Sequence, residues 1–191
     1  QDELQAEAAA RAAWAAGIMP CMRIGKRIDE FFEPELYVTA LKRVGAPPYV
    51  QIYNEPGDTR EWRKDVLPSG WLGIFGHNWA RMAARVVDAG GYPGLQVLER
   101  VELDAAIDAV AAIGRTDIWD RAWFSLHNYG ANHPPAYPYD QGLTVFDDFY
   151  GVLSFLAFAL GMQERIGFVL PMIGGEGGWQ YGQEQDRRYP K

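Results

Sequence analysis

The chain has 191 residues and a net charge of −7, with 48% hydrophobic and 23% charged residues. That balance is ordinary for a packed globular domain and excludes a disordered chain, a collagen-like chain and a disulfide scaffold. The acidic excess speaks against nucleic acid as a partner, because phosphate neutralisation needs clustered Lys and Arg.

A neutral ligand such as a carbohydrate is compatible with this charge. Aromatic residues make up 14% of the chain, with 7 Trp and 10 Tyr, enough to supply core mass or flat platforms for a ligand. The single cysteine, Cys21, cannot close an intrachain disulfide and is expected in the core. It leaves the redox compartment open and is compatible with secretion. The most apolar run, Phe149 to Met162, is shorter than the about 20 residues a membrane span needs, so no membrane partner is expected.

In chain order, the alanine-rich stretch Asp2 to Ala16 predicts a helix ended by Gly17. Ile18 to Ile24 reads as a buried strand. Pro34 to Val44 is amphipathic and begins with Pro, a helix start signal. Tyr49 to Tyr53 (YVQIY) is a short strand, followed by the loop Asn54 to Gly70. Trp71 to Asp88 has helical spacing in Leu72, Phe75, Trp79, Met82 and Val86, which places Trp71 and Trp79 on a core stripe.

After a turn at Gly91-Tyr92-Pro93-Gly94, Leu95 to Leu98 predicts a strand and Leu103 to Ile113 a helix. Ala122 to Leu126 is the next strand, with a loop from His127 to Gly142. Phe149 to Met162 predicts a helix capped by Asp147 or Asp148. Gly167 to Ile173 is the last strand, followed by the glycine-rich segment Gly174 to Trp179.

Strands alternating with helices imply parallel strands joined by crossover helices in one domain over residues 1–191. The strands are continuous apolar runs, as expected when both faces are covered. Five strands are too few for a closed eight-stranded barrel, which typically takes about 250 residues. The expectation is therefore either an open sheet or part of a (β/α)8 barrel.

The informative polar residues all follow strands: Arg23, Asn54-Glu55-Pro56, His127-Asn128-Tyr129 and Glu176. In parallel α/β folds the carboxyl ends of the strands share one mouth, where ligand chemistry sits. Two carboxylates meeting there, Glu55 and Glu176, suit glycosidic bond cleavage, in which one acts as acid and the other attacks the sugar or activates water. Trp62, Trp179, Tyr129, Tyr137 and Tyr181 offer walls and stacking faces. Asn54 is a natural donor to a sugar hydroxyl.

YNEP at 53–56, HNY at 127–129 and GGEGGW at 174–179, each after a strand and in this order, resemble the retaining glycoside hydrolases with (β/α)8 barrels. Within that clan the pattern is most similar to family five, the cellulase and mannanase group. The resemblance implies a partial TIM barrel acting on β-linked glycans by double displacement, with no cofactor and no metal. It implies Glu55 as the acid/base and Glu176 as the nucleophile. It further implies that Asn54 contacts the hydroxyl beside the reacting carbon, Tyr129 positions Glu176, and His127 lines the site.

The five strands would then be barrel strands three to seven. The family's first, second and eighth strands, with an Arg and a Trp of its site, have no counterpart here. Missing barrel segments are therefore expected from elsewhere in a longer chain. A non-catalytic carbohydrate-binding barrel or an inactive fragment is the alternative from another class.

Other readings are weaker. His127 and His133 with Asp140 match no standard metal-ligand spacing. Glu99 reads as a solvated carboxylate at a helix start, and Glu33, Asp58 and Glu61 as loop charges. Arg23 is expected to pair with Glu55 or to bind substrate. Trp62 and Trp179 lie in mouth loops and are expected as sugar platforms. No P-loop, nucleophile elbow or dinucleotide fingerprint is present.

Overall fold

Strands and helices alternate along the whole described chain. A computed structural model describes residues 3–129, 136–137, 139–147 and 151–178. The elements are α1 (Glu3–Ala15), β1 (Cys21–Arg23), α2 (Pro34–Val44), β2 (Tyr49–Ile52), α3 (Trp71–Asp88), β3 (Tyr92–Gln96), α4 (Arg100–Ala112), β4 (Trp123–Tyr129), α5 (Ser154–Ile166) and β5 (Met172–Gly178).

All five strands are parallel and lie in the order β1-β2-β3-β4-β5. They form one curled half-barrel sheet with helices between the strands, a partial TIM-like barrel. Among the described residues, β1 and β5 each pair on one side only.

The core lies between the sheet and the helices. Most of the stripe expected on α3 is buried, with Phe75, Trp79, Met82 and Val86 inside, while Trp71 and Leu72 are half-buried. Trp79 stacks on Trp119 at 5.6 Å and donates its indole N–H to the Gly94 carbonyl at 3.2 Å. Each such side chain, fully buried, contributes about 1.5–3 kcal/mol from apolar area.

The inner face of the sheet is different. Gln51, Gln96, Ser125 and His127 are all buried, and the Ser125 hydroxyl donates to Gln51 Oε1 at 2.8 Å. These polar residues share a face because successive strand residues point to opposite sides.

Several boundaries differ from the expected ones. β1 is confined to Cys21–Arg23, where Cys21 is exposed and not part of the core. An edge strand with one neighbour offers its first residues little cover, and Ile18 and Met19 are exposed as well.

β3 starts at Tyr92, so the expected turn is strand. Pro93 is tolerated there because the Tyr92 N–H bonds toward β2, at Pro48, and the next amide position faces β4. The β3–β4 pairing begins only at Gly94.

α5 starts at Ser154, and Asp147 bonds the Thr144 amide and hydroxyl at 2.7 and 2.8 Å instead of capping that helix. Asp148 lies outside the described residues. β4 runs on through Tyr129, and β5 spans Met172–Gly178, so HNY and the glycine run are strand and not loop.

Candidate active site

The register of β4 and β5 builds half of the site. Leu126 pairs with Gly174, but His127 pairs with Glu176, so β5 carries one extra residue, Gly175, at a bulge. A Cβ on Gly175 would meet Ser125 Oγ and lie 3.4 Å from His127 Nε2. Only a residue without a side chain lets β5 pass this close. The bulge turns Glu176 to the same face as His127, beside Tyr129.

The other half follows β2. Tyr53 and Glu55 have positive φ, 60° and 30°, which residues with a Cβ rarely adopt. Such strain, of order 1–3 kcal/mol per residue (about), persists only where neighbours over-determine the backbone. Four contacts do so here. Asn54 donates to Glu61 Oε1 at 2.9 Å, and the Glu55 N–H donates to Gln96 Oε1. The Trp62 indole N–H donates to the Pro56 carbonyl at 2.9 Å, and the Asp58 N–H to the Glu55 carbonyl at 2.8 Å.

The strand ends and the turn converge. His127 Nδ1 lies 2.9 Å from Glu55 Oε1, and His127 Nε2 lies 3.8 Å from Glu176 Oε1. One carboxylate oxygen of Glu55, one of Glu176 and a His127 nitrogen all lie within 4.8 Å of one another. The Tyr129 hydroxyl donates to Glu176 Oε2, and Arg23 Nη1 donates to Glu176 Oε1.

The two acids therefore sit in unlike surroundings. Burial pushes the Glu176 carboxyl up, but the Tyr129 hydrogen bond, the His127 ring and Arg23 outweigh it and hold it below the ordinary value. The Tyr129 phenol is pushed up to about 12 by burial first and then by its bond to Glu176. Glu55 contacts the His127 ring and, among the described residues, makes no ion pair with a Lys or Arg.

The expected site residues fall into three groups. Glu55, Glu176, His127, Tyr129 and Arg23 are brought together. Arg23 pairs with Glu176 and not with Glu55, because β5 delivers Glu176 across the open side of the curled sheet toward β1.

Asn54 adjoins the site but is buried, and one of its amide hydrogens is given to Glu61. Trp62 is no platform: at 1% exposure it lies in the core with its indole holding the Pro56 carbonyl. Tyr137 is buried too, against Gly151. Trp179, Tyr181 and His133 lie outside the described residues.

Glu99 caps α4 in a reciprocal capping box with Glu102. Gln96, which holds the Glu55 turn, was not expected from sequence, and Glu61, expected as a loop charge, holds Asn54. The available signal for Gln96 was a polar residue inside an apolar strand.

Among the described residues, Glu55, His127 and Glu176 are the group with ligand atoms spaced to hold a metal ion. The two nitrogens of His127 face different carboxylates, however, and Arg23 already provides a cation at Glu176. No family model, no curated protein and no solved structure matches the chain.

Proposed function

We propose that this protein is a retaining glycoside hydrolase acting on β-linked glycans. The observation that carries the reading is the approach of Glu55 and Glu176, with carboxylate oxygens within 4.8 Å at the carboxyl ends of parallel strands. Retaining enzymes hold their two carboxyl groups about 5–5.5 Å apart, whereas inverting ones leave about 6.5–9.5 Å for a water.

The unlike surroundings set the roles. Glu176, held ionised, attacks the anomeric carbon as the glycosidic C–O bond breaks, and the Glu55 proton passes to the leaving oxygen. Glu55, now a carboxylate, takes a proton from water as the water oxygen attacks the anomeric carbon and frees Glu176. Through Nδ1, His127 holds Glu55 in place during both steps.

Asn54 Oδ1, Gln96 Nε2 and His127 Nε2 are buried without a hydrogen-bond partner, and each belongs to a residue adjoining or bonded to Glu55. The second reading is a barrel that binds sugar without turnover; among the described residues β1 and β5 each pair on one side only.

Proton NMR of the first product formed from 4-nitrophenyl β-cellobioside or a β-1,4-glucan tests the proposal. A β-anomer appearing first supports it. An α-anomer first would mean inversion, and binding without any product would leave the second reading standing.

A further inference from the structure

Glu102 is the one fully buried carboxylate among the described residues, at 1% exposure. Its Oε2 accepts the Leu98 N–H at 2.7 Å and the Glu99 N–H at 2.9 Å, at the start of α4. A capping box accounts for the Glu99 bond but not for the Leu98 bond or the rest of the side chain.

The other oxygen, Oε1, lies 2.8 Å from the place a Cβ on Gly57 would occupy, so the carboxylate packs directly against the Gly57 backbone. Gly57 is two residues past Glu55. Any side chain there would drive the carboxylate away.

One carboxylate therefore ties the turn after β2 to the turn after β3. The same two turns are joined a second time, by the Glu55 N–H on Gln96 Oε1. Together with the Trp62 bond to the Pro56 carbonyl, these contacts leave the left-handed backbone at Glu55 little freedom. A capping side chain with no second task needs no such burial. Burial pushes the Glu102 carboxyl up to about 7, although the Leu98, Glu99 and Gly57 amides pull it down. Keeping so costly a group inside is consistent with a demand for its geometry.

We infer that Glu102 is a positioning residue for Glu55: its carboxylate clamps Gly57 to the start of α4 and thereby fixes the direction in which Glu55 faces His127 and Glu176. The inference rests on the acid/base role proposed for Glu55. Misplacing a catalytic group by about 1 Å costs up to ~100-fold in rate. A clamp on its turn is therefore expected to act on kcat rather than on substrate affinity.

Two variants test it from opposite sides. Glu102→Gln can keep one acceptor for the Leu98 and Glu99 amides but sets an NH2 beside Gly57 in place of Oε1. Gly57→Ala changes no residue of α4 and pushes on the carboxylate from the loop. With 4-nitrophenyl β-cellobioside, each is expected to lower kcat about 10- to 100-fold with KM within about twofold. Carbon-13 NMR of labelled glutamates in the same variants is expected to show a moved Glu55 titration. Should Glu102→Gln fail to fold, Gly57→Ala carries both readouts.

Lowered melting temperatures with unchanged kcat and an unmoved Glu55 titration would overturn the clamp and leave a purely structural cap. If the unsubstituted chain turns over no β-glycoside, the proposed activity fails. The NMR titration and the exchange rate of the Gly57 amide then still decide whether Glu102 positions Glu55.

Discussion

The Tyr129 hydroxyl donates to Glu176 Oε2, and the two residues come from neighbouring strands β4 and β5. This bond favours the ionised carboxylate, so its removal raises the Glu176 pKa toward, or beyond, the ordinary value. Tyr129→Phe is therefore expected to shift the acidic limb of the kcat/KM profile to higher pH. A hydrogen bond to a charged group contributes about 1.5–3 kcal/mol, so a rate loss of roughly 10- to 100-fold is expected near neutral pH. Steady-state kinetics across a pH series checks both.

Gly175 admits β5 to the bulge opposite His127. Gly175→Ala places a methyl group against Ser125 and is expected to lower stability by about 1–3 kcal/mol. It also displaces Glu176, so activity falls further than the same loss of stability elsewhere would explain. Denaturant melts and kcat measured well below the melting point separate the two effects.

Trp62 discriminates between a sugar platform and a support. As a support, Trp62→Phe loses the indole bond to the Pro56 carbonyl and some buried volume. The expected result is a stability loss of about 1–3 kcal/mol. A platform predicts the opposite pattern, an unchanged melting temperature with weakened glycan binding. Thermal melts beside calorimetric titration with cello-oligosaccharides distinguish them.

Glu102 makes stability depend on pH. Its folded-state pKa, pushed up to about 7 chiefly by burial and further by the neighbouring Glu99 charge, exceeds the ordinary 4.5. Between those values the folded state binds more protons than the unfolded one, so this stabilisation is complete below 4.5 and lost as pH rises through about 7. The lost contribution is on the order of 3 kcal/mol. Urea melts from pH 4 to 8 are expected to show that slope in the unsubstituted chain minus Glu102→Gln, where the other carboxylates cancel.

The alternation of strand and helix was legible because periodicity reports burial, and α2 and α3 run over the expected residues. Glu55, His127, Tyr129 and Glu176 were legible as polar residues following apolar strands. The errors share a cause. Pro93 and the glycines of β5 carry local turn signals that strand pairing overrides. Trp62 and Arg23 were placed by loop membership and strand end, but their partners are set by how the sheet curls. Gln96 and Glu102 were missed because their partners are backbone groups of distant turns, which no local pattern announces.

A 2-deoxy-2-fluoro β-cellobioside with a dinitrophenyl leaving group slows release of a glycosyl-enzyme and lets it be trapped. Peptide mass spectrometry of the trapped protein tests the central claim most directly. One sugar is expected on the peptide containing Glu176, with none in Glu176→Gln. A label on Glu55, or no covalent adduct while the substrate is still consumed, would contradict it.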